Sequence, residues 1–334
     1  MMSVTVAIVN YNGGTTILTC LRALTDQLDP KDIVIVDNAS TDGSTRLIHA
    51  TFPQIRILPL RRNVGFARAV NIAASRINHD GALVTLNPDT MPSPSFIAAL
   101  VQPLVDDPRL GSTAGTLVFT SNPEIVASAG IRVYRNGVAL DDRLGEAVGV
   151  ATGAVRPVFG ASGGAAAYRL SALRDVRGFC EAFFLYLEDV DLAWRLQLRG
   201  WESANVPNAI ASHDYSSSSV EGSSFKRKLL ARNRIWTLAR CLPREIWFRD
   251  RASIIAFDLL AAGYGTVTHD GASLQGRSAA IAGLPMRLRE RSRIQSSASV
   301  QTEMIDKWVE PAISPHQLLE LRRLTASLAQ PVRG

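Results

Sequence analysis

The segment IVIVDNASTDGS, residues 33–44, decides the fold expected for this chain. Its first four residues are β-branched and lead to Asp37, and the seven that follow are small or polar residues that favour a turn. Asp42 or Ser44 then offers a cap for a helix. This order predicts one strand–turn–helix unit. The turn can be purely structural, or Asp37 can accept hydrogen bonds from a ribose or a pyrimidine N–H.

Similar units fill the first hundred residues. The pattern predicts strands at residues 4–9, 33–37, 55–58 and 82–86, and helices at residues 16–25, 44–51 and 66–77. This alternation is typical of an α/β fold with a mostly parallel sheet flanked by helices. Ligands of such sheets bind at the carboxyl ends of the strands, which directs attention to the polar segments at residues 10–12 and 87–89.

From residue 111 onward the sequence pattern changes. Short β-like pieces are predicted at residues 116–119, 131–134 and 155–159, helices at 171–177 and 189–199, and a last strand at 203–206, with His213 beyond it. A serine run at residues 216–219 indicates a loop or lid. The rest is predicted to be mainly helical, with a loop at residues 263–276. We therefore divide the chain into a catalytic domain, residues 1–222, and a basic C-terminal region, residues 223–334.

Composition narrows the class of protein. The chain has 334 residues, 46% of them hydrophobic, and three widely spaced cysteines that suggest neither a disulfide framework nor a zinc site. No signal peptide and no run of 18 apolar residues is recognisable, which predicts a cytoplasmic protein. The net charge is +6, and residues 222–251 hold nine basic and two acidic side chains with interleaved aromatics. This region is either a solvated helix face or a surface for anionic lipid, and no nucleic-acid motif accompanies it.

The segment FFLYLEDVD, residues 183–191, is the strongest chemical signal. It places Glu188, Asp189 and Asp191 on the first turn of a predicted helix, directly after six uncharged residues. The helix dipole favours an ionised carboxylate there, whereas apolar surroundings oppose it. That conflict is typical of a carboxylate base, although acidic residues also cap helices without any further function.

Three further features lie near predicted strand ends. Asp89 can present a hard oxygen ligand to Mg²⁺ or Mn²⁺ bound to a nucleotide diphosphate, and His213 is a candidate second ligand. Gly163 and Gly164 lie in a run of small residues, read as a strand edge, that allows close approach of a substrate. The glycine spacings of dinucleotide-binding and P-loop proteins are absent.

Taken in order, these pieces resemble the family 2 inverting glycosyltransferases of the GT-A fold, and among them the rhamnosyltransferase-like branch that builds bacterial cell-surface polysaccharides. The resemblance covers about residues 4–240. Its carriers are VAIVNYN (6–12), VDNASTDGS (36–44), NVGFA (63–67), LNPD (86–89), Gly163-Gly164, EDVD (188–191), His213 and Arg232-Asn233. Asn87 stands where the family has the first aspartate of its Asp-x-Asp metal motif, so Asp89 is the surer metal ligand.

The resemblance implies a role for each of these residues. Asp189 would be the catalytic base, Glu188 would brace the acceptor or the base, and Asp89 and His213 would hold a divalent metal. The donor-binding residues would be Asn10, Asn12, Asp37, Asn63, Gly65, Phe66, Arg68, Asn71 and Asn87. The acceptor-binding residues would be Gly163, Gly164, Asp191 and Arg232.

The function that follows is inverting transfer of a sugar, best guessed as rhamnose from dTDP-rhamnose, to a lipid-linked or growing cell-surface glycan at the inner face of the plasma membrane. A UDP-sugar-dependent hexosyl- or N-acetylhexosaminyltransferase is the alternative. A nucleotidyltransferase would need a basic phosphate loop after the first strand, where this chain has none before Arg22. A glycan-binding module at the membrane is the non-enzymatic alternative. Residues 263–334 could extend the membrane contact or form a dimer surface.

Overall fold

The computed structural model describes residues 2–151, 153–214 and 223–329. The serine run at residues 216–219 lies outside the described residues, and the division at residues 222 and 223 stays a prediction. The strands are β1 Val4–Asn10, β2 Ile33–Asp37, β3 Arg56–Pro59, β4 Ala82–Leu86, β5 Thr90–Pro92, β6 Leu110–Phe119, β7 Asn122–Ser128, β8 Ile131–Tyr134, β9 Ala139–Asp141, β10 Arg156–Val158, β11 Ala165–Arg169, β12 Glu202–His213 and β13 Val309–Glu310.

Twelve helices accompany these strands in the described part of the chain. They are α1 Thr16–Thr25, α2 Ser44–Thr51, α3 Phe66–Ala74, α4 Phe96–Asp106, α5 Val148–Ala151, α6 Leu170–Asp175, α7 Glu188–Leu198, α8 Ser224–Cys241, α9 Arg244–Val267, α10 Gly271–Ser296, α11 Thr302–Asp306 and α12 Pro315–Leu328. The predictions for β2, β4, β8, α1 and α2 are confirmed to the residue. No described helix has the length and apolar character needed to cross a membrane.

The main sheet is mixed and confirms the predicted α/β class. Its strand order is β10-β12-β6-β11-β4-β1-β2-β3. In addition, β5 pairs with β12, and β7 pairs with β6. Strands β4, β1, β2 and β3 run parallel, whereas β11 is antiparallel to both β4 and β6. Because β1, β2 and β4 are parallel, the polar residues that follow them meet at one edge of the sheet.

Helices cover both faces of this sheet because successive strand side chains point to opposite sides. In β1, Val6 and Ile8 belong to the core beneath α1, α2 and α4, and Ala7 belongs to the core beneath α3, α6 and α7. A small second sheet, β13-β8-β9, packs with α7, α8 and α9 around a third core. Helix α7 is therefore enclosed between the main sheet and the C-terminal helices.

Several predicted boundaries are wrong. β6 begins at Leu110 rather than at residue 116, and α3 ends at Ala74 rather than at residue 77. The loop predicted at residues 263–276 is almost entirely helical, with only residues 268–270 between α9 and α10. One of its glycines marks close helix packing, since a Cβ on Gly276 would lie 2.3 Å from the carbonyl oxygen of Lys228 in α8. The last predicted strand is longer than expected, and His213 is its final residue rather than a residue beyond it.

Asp191 is held in a buried ion network, which differs from its predicted contact with the acceptor. Its carboxylate lies 2.8 Å from Nη2 of Arg195 and 3.1 Å from Nη1 of Arg240. Arg240 continues to Glu290 in α10, with Nε 3.1 Å from Oε2. Burial alone would raise the pKa of Asp191, but Arg195 and Arg240 outweigh it and hold the pKa below its usual range. This network ties α7 to the C-terminal helices.

We expect Asp191→Ala to lower the free energy of unfolding by about 3–5 kcal/mol, because two buried guanidinium groups would lose their shared partner. Denaturant titration measures this loss. The control is Arg174→Ala, which breaks a mostly exposed ion pair with Asp80 and should cost less than about 1 kcal/mol. Equal losses in the two variants would show that the buried network adds no more than a surface pair.

Candidate active site

The carboxylates of Glu188 and Asp189 follow a strained loop. Phe184, Tyr186 and Leu187 have φ values of 69°, 67° and 62°, which side chains other than glycine rarely adopt. Such residues cost about 1–3 kcal/mol each and persist only where the surrounding structure enforces them. The loop directs the first turn of α7 into a cavity of about 970 Å³ whose lining includes Glu188, Asp189, Gly163, Asn87 and His213.

Asp189 is half-buried, and backbone donors support its charged form. The backbone N–H of Gly163 donates to its Oδ2 at 3.0 Å, and the N–H of Val190 donates to its Oδ1 at 2.8 Å. Burial raises the pKa of Asp189, and these two donors oppose the rise. Burial also raises the pKa of Glu188 far above its usual range, and the charge of Asp189 adds to the effect. The backbone donors therefore make Asp189 the easier of the two carboxyl groups to ionise, and Glu188 the harder.

Gly163 and Gly164 connect Asp189 to the metal candidates. They precede β11, a central strand, so the predicted sheet edge is a loop over the middle of the sheet. A Cβ on Gly163 would lie 3.2 Å from the Phe66 ring, and a Cβ on Gly164 would lie 3.1 Å from Nδ2 of Asn87. Because these glycines have no side chains, the first turn of α7 and the segment after β4 can approach each other.

Asn87, Asp89 and His213 form one cluster. Nε2 of His213 lies 3.2 Å from Oδ1 of Asp89 and 3.3 Å from Nδ2 of Asn87. Pairing of β5 with β12 brings them together, because His213 is opposite Thr90. No group of three or more His, Cys, Asp or Glu side chains suited to a metal occurs in the described residues. One carboxylate and one imidazole nevertheless suit an ion that also binds water and phosphate oxygens, as Mg²⁺ commonly does.

The predicted donor residues divide into two groups. Asn63, Gly65, Phe66 and Asn87 line the cavity. The others, which lie outside the lining, are Asn10, Asn12, Asp37, Arg68 and Asn71.

Asn10 and Asp37 form a buried support beneath the cavity edge. Nδ2 of Asn10 donates to Oδ1 of Asp37 at 3.1 Å and to Oγ of Ser44 at 3.0 Å. Oδ1 of Asn12 accepts from the N–H of Thr41 at 2.8 Å. These three side chains thus hold the turns after β1 and β2 in register.

The side chains of Arg68 and Asn71 do not line the cavity. They contact the segment that precedes the first turn of α7. Asn71 accepts from the N–H of Phe179 and donates to its carbonyl oxygen, both at 2.9 Å. Arg68 pairs with Glu181 at 3.6 Å. Both side chains are engaged because α3 packs against residues 179–181.

Three polar cavity residues were given no role by sequence reasoning. Tyr11 lies in the strand-end segment at residues 10–12 and Asn38 directly follows β2, but neither was named as a donor-binding residue. Asp141, at the end of β9, had no such signal. Desolvation raises the pKa of Asp141 to about 6, with a hydrogen bond from Ser128 opposing it and the charge of Asp189 adding to it. The second sheet therefore brings another acidic group to the same cavity.

The sequence profile described as "Glycosyl transferase family 2" matches residues 5–177, just over half of the chain. The chain belongs to this family. It is 29% identical over 237 residues to an N-acetylglucosaminyl-diphospho-decaprenol L-rhamnosyltransferase of Mycobacterium tuberculosis, across 62% of this chain and 75% of that protein.

Two solved structures share the GT-A fold of this family 2 member. A mannosyltransferase from Pyrobaculum calidifontis, in complex with GDP-Man and Mn²⁺, has a TM-score of 0.53 at 17% identity, over 98% of this chain and 86% of that one. GalNAc-T7, with UDP, GalNAc and Mn²⁺, has a TM-score of 0.56 at 16% identity, over 81% of this chain. The match spans only 58% of the GalNAc-T7 chain.

A buried amide from α8 holds the strained loop of this glycosyltransferase-family chain. Nδ2 of Asn233 lies within 3.1 Å of the carbonyl oxygens of Phe183, Leu185 and Tyr186. Nε of Arg232 donates to Oδ1 of Asn233 at 2.8 Å, which orients the amide toward those carbonyls. The side chain of Asn233 thereby offsets the strain that directs Asp189 into the cavity.

Arg232 has this supporting position rather than the predicted contact with an acceptor. Its Nη2 donates to the carbonyl oxygen of Phe183 at 2.8 Å, and its guanidinium stacks over the Trp236 ring at 4.4 Å. Arg232 is absent from the cavity lining because the loop carbonyls occupy its donors.

We expect Asn233→Ala to reduce kcat by about 10–100-fold, because relaxation of the loop would displace Asp189 from its reacting position. The donor KM should change less than kcat, since Asn233 lies outside the cavity lining. Nucleoside diphosphate release measures both constants.

The matched control is Asn205→Ala, which removes another fully buried amide whose Nδ2 lies 3.2 Å from the carbonyl oxygen of Ala114. It should lower stability without a comparable loss of kcat. If both variants lose kcat in proportion to their stability, Asn233 has no specific effect on the loop.

Proposed function

We propose that this chain transfers a sugar from a nucleotide-diphosphate donor to a hydroxyl group of a lipid-linked glycan, with inversion at the anomeric carbon. The observation that carries the proposal is the half-buried Asp189, held by two backbone N–H donors in the cavity that also receives the Asn87 and His213 side chains. The 29% identity to a rhamnosyltransferase favours dTDP-rhamnose as donor and a sugar-diphosphate lipid as acceptor. We also propose that the transfer takes place at the inner face of the plasma membrane.

Asp189 provides the base for this reaction. Its carboxylate takes the proton of the acceptor hydroxyl as that oxygen bonds to the anomeric carbon. The bond between the anomeric carbon and the diphosphate oxygen breaks on the opposite face, and the electron pair leaves with the nucleoside diphosphate. Because a single displacement occurs, the configuration inverts and one base is sufficient.

Burial raises the pKa of Glu188 well above its usual range, which favours its neutral form and limits the negative charge beside the acceptor. The donor would lie along Asn38, Asn63, Gly65 and Phe66, which line the cavity next to Asp189. Asp89 and His213 would hold a divalent cation such as Mg²⁺ or Mn²⁺, whose charge would stabilise the departing diphosphate.

We expect Asp189→Asn to lower kcat at least about 100-fold, because the amide cannot accept the proton. Glu188→Gln should lower it less than about tenfold, since an amide resembles the protonated acid that Glu188 provides. Steady-state transfer and product stereochemistry measure the effects. Equal losses, or a larger loss for Glu188→Gln, would assign the base to Glu188 instead.

We expect nucleoside diphosphate release from dTDP-rhamnose to exceed release from UDP-hexoses and UDP-N-acetylhexosamines, and to increase with Mn²⁺. Asp89→Ala and His213→Ala should weaken Mn²⁺-dependent donor binding at least about tenfold. The control is His49→Ala on the exposed face of α2, which should bind the donor normally.

A stronger response to a UDP-sugar would replace the donor while keeping the reaction class. Wild-type protein that hydrolyses none of these donors would favour the non-enzymatic glycan-binding module. Unchanged Mn²⁺ dependence in both variants would exclude Asp89 and His213 as the metal site.

A further inference from the structure

The cavity extends well beyond the catalytic residues. From Asp189 it continues between α8, α9 and α12, and we name this extension the helical arm, defined by the cavity-lining residues of those three helices and of residues 270–277. Apolar side chains dominate its walls, among them Phe225, Phe257, Leu260, Tyr264 and Leu319. Sugars and phosphates are polar, so a nucleotide-sugar donor would gain little from contact with such an apolar wall.

The walls of the helical arm are anchored. Nδ2 of Asn136 donates at 2.8 Å to the carbonyl oxygen of Ile313, just before α12. At the other end of α12, Nδ2 of Asn122 donates at 3.0 Å to the carbonyl oxygen of Leu328. Apolar residues nevertheless remain open to solvent along the arm, and Leu260 is 60% exposed. The arm is thus a built groove whose apolar surface is still available to a ligand.

The arm also has a net positive charge. Its described lining contains five basic side chains and a single acidic one, Asp270; the basic ones are Lys226, Arg227, Arg234, Arg277 and Arg322. Asp270 lies 3.0 Å from Arg227, and Asp258 neutralises part of the charge of Arg234 and Arg277. The balance remains positive, so an anionic group is complementary to this region.

The basic side chains begin next to the catalytic turn. The ammonium group of Lys226 lies 5.4 Å from the centre of the Tyr186 ring, and Tyr186 precedes Asp189 by three residues. The Phe225 ring lies 6.1 Å from the Phe184 ring in an edge-on contact. A ligand could therefore place a hydroxyl at Asp189, a phosphate near Lys226 and an apolar tail between α9 and α12.

We propose that the helical arm binds the prenyl diphosphate part of the acceptor, with the basic residues on the diphosphate and the apolar walls on the first isoprene units. In a sugar-diphosphate lipid, one sugar ring separates the reacting hydroxyl from the diphosphate, and in this cavity Lys226 lies against Tyr186, three residues before Asp189. The inference rests on the proposed function and specifies how the acceptor is held. The ligand is a single lipid bound inside a groove of this chain, which differs from adsorption of the chain on a membrane surface.

The chain offers two pairs of neighbouring residues that test this proposal. Leu260 and Leu259 are adjacent on α9 and similarly exposed, at 60% and 68%, but only Leu260 lines the arm. Arg322 and Arg323 are adjacent exposed residues of α12, and only Arg322 lines the arm. Each pair therefore separates a contact inside the groove from the general apolar or basic character of the surface.

The experiment is titration of full-length protein with geranylgeranyl diphosphate below its micelle concentration, followed by calorimetry. We expect saturable binding and a Kd raised at least about tenfold by Leu260→Asp and by Arg322→Glu, since a lost buried apolar contact or charge pair of this kind is worth about 1.4 kcal/mol or more. Leu259→Asp and Arg323→Glu should bind within about twofold of the wild type.

Other outcomes overturn the proposal. These are no saturable binding, equal losses in test and control variants, no loss with Leu260→Asp, or full competition by anionic phospholipid vesicles or by inorganic diphosphate. Competition by vesicles would assign the surface to the membrane, and competition by diphosphate would assign it to phosphate alone. Donor hydrolysis without acceptor decides the proposed function separately, so either idea can fail while the other stands.

Discussion

The constraint on which the site depends is the position of one partly buried carboxyl group, that of Asp189. Asp189 has two backbone N–H donors and lies on a turn whose three left-handed residues are intrinsically unfavourable. The turn is held by Asn233 from outside the sheet domain. Without that support, the strained loop could relax by several kcal/mol, and the reacting oxygen would move.

The C-terminal helices therefore help to hold the first turn of α7, which carries the proposed base, and are not only an appendage. Arg240 of α8 forms ion pairs with both Asp191 in α7 and Glu290 in α10. Breaking either contact would leave charge buried without a partner, which is costly at low dielectric. The same helices provide the walls of the helical arm. One set of helices thus both stabilises the base and shapes the region proposed for the acceptor.

Much of the architecture could be predicted because it rests on local patterns. The β-branched run ending at Asp37 identified a buried strand, and the carboxyl ends of parallel strands converge whatever the side chains are. This is why the polar segments after β1, β2 and β4 could be expected together, whereas the position of His213 beside Asp89 was implied only by the family resemblance and is produced by the antiparallel pairing of β5 with β12. The glycines of α9 and α10 misled the loop prediction because glycine favours turns locally, whereas here Gly276 allows two helices to approach closely.

The sequence by itself determined the α/β class, the strand-end position of the polar segments and the acidic first turn of α7. Only the tertiary structure decided which of its acids faces the cavity. Successive helical residues are rotated by about 100°, so Asp189 and Asp191 point about 200° apart. One meets Gly163 at the cavity, and the other meets Arg195 and Arg240 inside the protein. Asp141 and Asn233 could not be assigned earlier, because their significance comes from neighbours 48 and 47 residues or more away in the chain, and burial is a property of the folded assembly.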